Sequence, residues 1–93
     1  MSEIQITVEG TPNPNAAKFL LGEALIGSES RSYFDPEAAR GDRLAERLFR
    51  VPGVRALFMV DDFITVTKAD DAVWDDMLDE IQDAIRMEVT ADP

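Results

Sequence analysis

The 93-residue chain contains neither cysteine nor histidine. Without cysteine it has no disulfides, no thiolate nucleophile and no thiolate ligands for zinc or an iron–sulfur cluster. Without histidine it lacks the commonest general base and the commonest imidazole ligand. Basic residues are scarce: nine lysines and arginines stand against 19 acids, for a net charge of −10, and Lys18 and Lys68 are the only lysines. Such a surface argues against nucleic acid or an anionic membrane as a partner. Long apolar runs are missing too. The longest, Ala56–Val60, is far too short to span a bilayer. Met1-Ser2-Glu3 is acidic and begins no targeting pattern. These features predict a soluble, cytoplasmic protein. The 45% apolar and 30% charged fractions suit a folded chain rather than a disordered one. With no linker in sight, one domain over residues 1–93 is expected, its core spanning about 4–88.

Two proline steps in succession mark the stretch Thr11-Pro12-Asn13-Pro14-Asn15. The rings of Pro12 and Pro14 fix φ and remove two backbone donors. Thr11 and Asn13 each precede a proline and are pushed toward extended geometry. Asn15 alone is free to turn, so a β-turn is expected on Asn13–Ala16, with Pro14 and Asn15 at its centre. Local chemistry makes this a stiff turn whose asparagine side chains bond nearby backbone. A rigid loop of this kind also suits recognition of a partner.

Around it the pattern alternates between strand and helix. Ile4–Val8 alternates apolar and polar residues and predicts a strand with Ile4, Ile6 and Val8 inward. Ala16–Leu21 is the return strand, residues 22–30 read as a loop, and Arg31–Phe34 as a short edge strand. Asp35-Pro36 offers a helix start, Gly41 interrupts it, and Asp42 recaps a helix over about 42–50. Val51-Pro52-Gly53 stops that helix. Val54–Val60 and Phe63–Lys68 form a hairpin about Asp61-Asp62. The last helix runs over about 72–88, capped by Asp70 or Asp71, with Val73, Trp74, Met77, Leu78, Ile81, Ala84 and Ile85 on one arc. The order ββαββα, with an optional strand before the first helix, gives an α+β class: a two-layer antiparallel sheet with two helices on one face. In the second hairpin Leu57, Met59, Ile64 and Val66 share one face, and Ala56, Phe58, Val60, Phe63 and Thr65 the other. Either the second face is an exposed apolar patch, or the register slips by one residue and exchanges the faces.

The charged clusters read as surface. Asp75, Asp76, Asp79, Glu80 and Asp83 lack the offsets of a calcium loop and form a solvated helix face, so no metal site is expected. Arg40, Arg43, Arg47 and Arg50 make a stripe that pairs locally, as Glu46 with Arg50, or docks an acidic partner. Trp74 reads as a core anchor, and Lys68 as the end of a strand that protects a sheet edge. No constellation of carboxylates, lysines and hydroxyls supports catalysis.

Four stretches carry a family resemblance. Thr11-Pro12-Asn13-Pro14-Asn15-Ala16-x-Lys18-Phe19 resembles the opening signature of the Nfu/NifU-type scaffold N-terminal domain. Leu44-Ala45-x-x-Leu48-Phe49 with Gly53-Val54 and Phe58 is similar to its middle. Asp62-Phe63-Ile64-Thr65-Val66-Thr67-Lys68 is similar to its most recognisable strand, and Trp74, Leu78, Ile81 and Ile85 to its last helix. Val60-Asp61 departs from the family, whose hairpin has glycine before Asp-Phe. The resemblance implies a small α+β domain linked to iron–sulfur cluster biogenesis. In such proteins a separate Cys-x-x-Cys domain holds the cluster, so this chain resembles a stand-alone N-terminal domain. It implies a non-enzymatic, protein-binding accessory in cluster assembly or delivery, without a cofactor of its own, whose partner is an assembly factor or a client protein. By carry-over the binding residues are Thr11, Pro12, Asn13, Pro14, Asn15, Lys18, Phe19, Asp62, Phe63, Thr65 and Lys68. A homo-oligomeric structural or regulatory domain is the alternative. Its basis is the uneven charge, which runs −4 over residues 1–39, +3 over 40–60 and −9 over 61–93.

Overall fold

The computed structural model describes residues 5–22 and 27–89. Seven elements follow one another: β1 (Thr7–Gly10), β2 (Ala16–Leu20), β3 (Gly27–Tyr33), α1 (Arg43–Phe49), β4 (Val54–Asp61), β5 (Phe63–Lys68) and α2 (Trp74–Val89). The class is α+β, and the strands form one antiparallel sheet in the order β1-β2-β5-β4-β3. The optional strand before the first helix is present as β3, so the order is β-β-β-α-β-β-α. It ends where the short edge strand was expected but begins at Gly27, within the glycine- and serine-bearing segment expected to be loop. Its Arg31, Ser32 and Tyr33 pair with Met59, Phe58 and Leu57, and the register shifts between Gly27 and Arg31. The long apolar β4 supplies the partner that a polar segment needs to become a strand.

Alternation decides which sheet face is core. Val60 pairs with Phe63, so Asp61 and Asp62 make a two-residue connection. This register places Leu57, Met59, Ile64 and Val66 on the buried face together with Ala17 and Phe19. The same cluster contains Ala45 and Leu48 of α1 and Met77, Ile81 and Ile85 of α2. The even register is thus the one adopted, and the second face is left open: Phe58 is 38% exposed, and Leu20, Val60 and Phe63 are half-buried.

The first strand departs from expectation. It is shifted toward Gly10, and Ile4 lies outside the described residues. Gly10 pairs with Ala17, so the ladder continues until the loop begins at Thr11, although the alternating pattern fades at Val8. Ile6 packs against the core. Val8 pairs with Phe19 and shares its face, yet it is 38% exposed. An edge strand lies at the border of the helical cover, so facing the core does not bury it.

Both helices depend on polar contacts at their starts. Asp42 caps α1 by accepting from the Ala45 amide (3.1 Å). Its other oxygen accepts from Arg31 Nη1 (2.7 Å) and Tyr33 Oη (2.9 Å), which tie β3 to the helix. Burial, reinforced by the hydrogen bond to Asp42 and its charge, raises the Tyr33 hydroxyl pKa above the ordinary phenol value. Glu46 does not pair with Arg50; it accepts from the Gly41 amide (3.0 Å). Asp35-Pro36 forms only a turn, closed by Ala38 N–H donating to Asp35 Oδ1 (2.8 Å). Helix α2 begins at Trp74, two residues later than expected, because Ala72 is held in a turn with Ala69 (3.0 Å). Gly53 sits under this entry at φ +100°, and a Cβ there would lie 2.9 Å from Ala72 Cβ and 3.2 Å from Met77 Sδ. Its carbonyl accepts from the Ala69 amide (2.8 Å). Glycine is required at this position on both backbone and packing grounds.

Candidate functional site

The Thr11–Asn15 loop is built from its own side chains before anything else touches it. The Ala16 amide donates to the Asn13 carbonyl (2.9 Å), closing the expected turn on Asn13–Ala16. The Asn13 side chain accepts from the Asn15 amide (2.9 Å), an Asx-turn. Thr11 Oγ1 accepts from the Asn13 amide (3.1 Å), and its proton faces the carbonyls of Asn13 (2.9 Å) and Ala16 (3.1 Å). Pro12, Asn13 and Pro14 remain exposed on a backbone with few conformations open to it.

The far end of the chain then braces this loop. Lys68 N–H donates to the Asn15 carbonyl (2.7 Å), and Lys68 Nζ donates to Asn15 Oδ1 (2.9 Å) and to the Ala69 carbonyl (3.3 Å). Asn15 Nδ2 donates in turn to Asp70. Trp74 Nε1 donates to the Pro14 carbonyl (3.1 Å), and its ring packs on Phe19 at 6.4 Å and 55°. Asn15 therefore bonds across more than fifty residues of sequence rather than to adjacent backbone. Lys68 guards no edge: β5 is the central strand, and this lysine is 9% exposed on the core-facing side. Its ammonium rests on two neutral oxygens, with the Asp70 carboxylate one amide away and the Trp74 ring centre at 6.0 Å. Asp70, expected as a helix cap, holds the loop instead.

The other singled-out residues lie elsewhere. Lys18 pairs with Thr65, and its Nζ stands 4.4 Å from the centre of the Phe63 ring. Phe63 meets Phe58 at 6.0 Å. Lys18, Phe63 and Thr65 occupy the open sheet face, opposite Phe19 and Lys68. Asp62 contributes its carbonyl, which accepts from the Leu21 amide (2.7 Å). Seven of the eleven residues form two groups on opposite faces, while Thr11, Pro12 and Asn13 stay in the loop and Asp62 at the hairpin connection. Pro14, Asn15, Phe19 and Lys68 gather about Trp74, while Lys18, Phe63 and Thr65 gather on the open face. Trp74 and Asp70 were missed as site residues, and no local signal marks them, since their partners lie 60 and 55 residues away.

The charged clusters also find their places. Arg47 Nε contacts Glu88 at 2.7 Å and Arg43 Nε at 3.7 Å, so the arginine stripe leans on the end of α2. Asp75, Asp76, Asp79, Glu80 and Asp83 are all exposed. Among the described residues no three histidine, cysteine, aspartate or glutamate side chains cluster as ligands for a metal ion.

Comparison with known proteins adds names to this geometry. The human "NFU1 iron-sulfur cluster scaffold homolog, mitochondrial" is 43% identical over 63 residues, which covers 68% of this chain and 25% of that protein. The solution structure of a NifU-like protein from Saccharomyces cerevisiae matches with a TM-score of 0.83 at 34% identity, covering 97% of this chain and 82% of that one. The crystal structure of protein SAV1430 from Staphylococcus aureus matches with a TM-score of 0.73 at 30% identity, covering 88% and 99% respectively. The chain spans about a quarter of the length of the curated relatives it matches. The expectation of a cytoplasmic protein is overturned, because curated relatives from human and Arabidopsis thaliana are named mitochondrial. Charge and apolar-run length describe how a domain meets water, and they do not report the compartment it occupies. The family model for the Nfu/NifU scaffold protein N terminus matches residues 6–92, and the chain belongs to that family.

Proposed function

We propose that this chain is one domain, a two-layer protein-binding module that serves iron–sulfur cluster assembly or delivery without enzymatic chemistry and without holding the cluster. The observation that carries the reading is the braced loop. A proline-locked turn is held by a buried lysine, an aspartate and a tryptophan from the other end of the chain, and its tip is left exposed. Preorganisation of this kind lowers the ordering cost of docking. The residues present do not fit a cluster, since no soft thiolate exists anywhere in the sequence. The cluster is cargo for a partner, an assembly factor or a client. Self-association has less support, because Arg43 and Arg47 already face Glu88 of the same chain.

Two measurements test this. Affinity capture with the purified chain should recover an iron–sulfur assembly factor or client, and capture should weaken when Asn13 and Pro14 are replaced together. Anaerobic reconstitution with iron and sulfide should leave the chain without stoichiometric iron. Stoichiometric iron, or capture that recovers only proteins unconnected with clusters, would refute the reading.

A further inference from the structure

Beside the braced loop runs a groove of about 270 Å³, bounded by Val8, Gly10 and Ala17 on the sheet and by Trp74 and Leu78 on α2. It is smaller than the roughly 300–1,000 Å³ typical of small-molecule sites. It does have room for one large apolar side chain. One wall is well fixed, because the indole N–H of Trp74 donates to the Pro14 carbonyl and its ring packs at a tilt against Phe19. Tryptophans held in this way are favoured anchors of protein interfaces.

The groove opens onto β1. Among the described residues this strand ends the sheet and pairs only with β2, and all four of its residues are exposed. Among the described residues nothing pairs with its outer side, so its outward backbone groups can accept another strand. A Cβ on Gly10 would meet nothing within 4 Å, which leaves the outer end of the groove clear. Side chains of an added strand alternate, so every second one would face the groove while its neighbours face the open side of the sheet, next to Glu9.

Charge selects the occupant. Glu9 lines the groove, and Asp75 and Asp79 are exposed on α2 next to the groove residues Trp74 and Leu78 in sequence. Glu9 stands on the edge strand itself. We propose that this edge and groove dock an extended basic segment of a partner protein, which adds as a strand to β1 and seats one apolar side chain between Val8 and Trp74. The proposal rests on the protein-binding reading above and names the partner's chemistry.

The chain has a single tryptophan, so its fluorescence reports on this groove and on the loop braced beside it. The probe is the synthetic peptide Lys-Thr-Lys-Leu-Lys-Lys-Thr, with a control in which leucine is replaced by serine. The leucine peptide should shift the Trp74 emission saturably, slow amide exchange at residues 7–10, and bind at least tenfold more tightly than the serine control. Val8→Lys, at an exposed position, should abolish the difference between the two peptides while the far-UV spectrum is retained. Asp75→Asn with Asp79→Asn should weaken both peptides alike. Equal binding of the two peptides, or no change at residues 7–10, would overturn the proposal, since basic peptides would then merely coat an acidic helix. A concentration-dependent dimer that buries β1 would overturn it too, by naming a second copy as the occupant. Capture of an assembly factor that survives Val8→Lys unchanged would sink this surface and leave the broader reading intact. Leucine-dependent peptide binding without any cluster-related partner would do the reverse.

Discussion

If Lys68 holds the loop through Asn15, the two residues should be energetically coupled, and the size of the coupling follows from their surroundings. Lys68 is 9% exposed, and its ammonium has a short hydrogen bond to Asn15 Oδ1 (2.9 Å) and a longer one to the Ala69 carbonyl (3.3 Å). A hydrogen bond to a charged group contributes about 1.5–3 kcal/mol, and a charge left short of partners adds its desolvation penalty. Asn15→Ala removes the short bond and also the donor to Asp70, so it should cost about 2–3 kcal/mol. That is a large share of the roughly 5–15 kcal/mol available to a domain. Lys68→Met keeps the apolar stem and removes the charge. It leaves Asn15 half-buried but within reach of water, at a cost of about 1 kcal/mol. In the Lys68→Met background Asn15→Ala should lose only its exposed bond to Asp70, about 0.5–1 kcal/mol, which gives a coupling of about 1–2.5 kcal/mol. Urea unfolding followed by far-UV circular dichroism measures all four corners of the cycle. Additivity within about 0.5 kcal/mol would refute the reasoning and reduce the contact to coincidence of position.

Gly53→Ala should be among the more damaging single substitutions. The left-handed backbone costs about 1–2 kcal/mol and the 2.9 Å approach to Ala72 about 1–3 kcal/mol more. The melting temperature should fall by about 10–40 °C, and Ala72→Gly in the same background should recover part of that loss. Asp42→Ala loses the cap of α1, about 0.5–2 kcal/mol, together with the partner of Tyr33 and Arg31. Asp42→Asn should keep the cap and sit between the two in thermal melts. Stability should also respond to alkali through Tyr33. Its pKa is raised in the folded state by burial and by Asp42, so the folded chain holds this proton more tightly than the unfolded one. The contribution is complete below the ordinary phenol value of 10.0 and is lost as pH rises through the folded value. Unfolding free energies measured from pH 9 upward should decline, and Tyr33→Phe should flatten the decline. An unchanged slope in that variant would assign it to other groups.

The two helices and the central hairpin were legible because their signals are local and periodic. Leu44, Ala45, Leu48 and Phe49 repeat at helical spacing beside an aspartate cap, and Ile64–Thr67 alternates apolar with polar. Of β3 only the part from Arg31 was legible, since Gly27-Ser28-Glu29-Ser30 carries no apolar alternation and joins the strand because β4 offers it an edge. Val8 was misjudged for a related reason. Periodicity reports which face a residue occupies, and the extent of the covering layer decides whether that face is buried. The site was legible in part. The stiffness of Thr11–Asn15 follows from two prolines, and its turn formed where the residues require it. Its bracing was not legible, because its hydrogen bonds with Lys68, Asp70 and Trp74 cross more than fifty residues and depend on β5 lying next to β2.

That adjacency also explains why residues contiguous in sequence do not make one site. In Phe63–Lys68, Phe63 and Thr65 lie on the open face and Lys68 on the core-facing one, as a strand's two-residue repeat requires. The same holds for Lys18 and Phe19. A family signature written along a strand therefore combines two constraints, one from the core and one from the free surface. Phe19 and Lys68 answer to the first, because they hold Trp74 and the loop in place. Lys18 and Phe63 answer to the second, and their 4.4 Å contact is partly open to solvent. Replacing Phe63 with leucine should consequently leave the β1 groove and the bracing of the loop untouched. It should alter only partners that use the open face, a separation that the indole Nε1–H resonance of Trp74 can read directly.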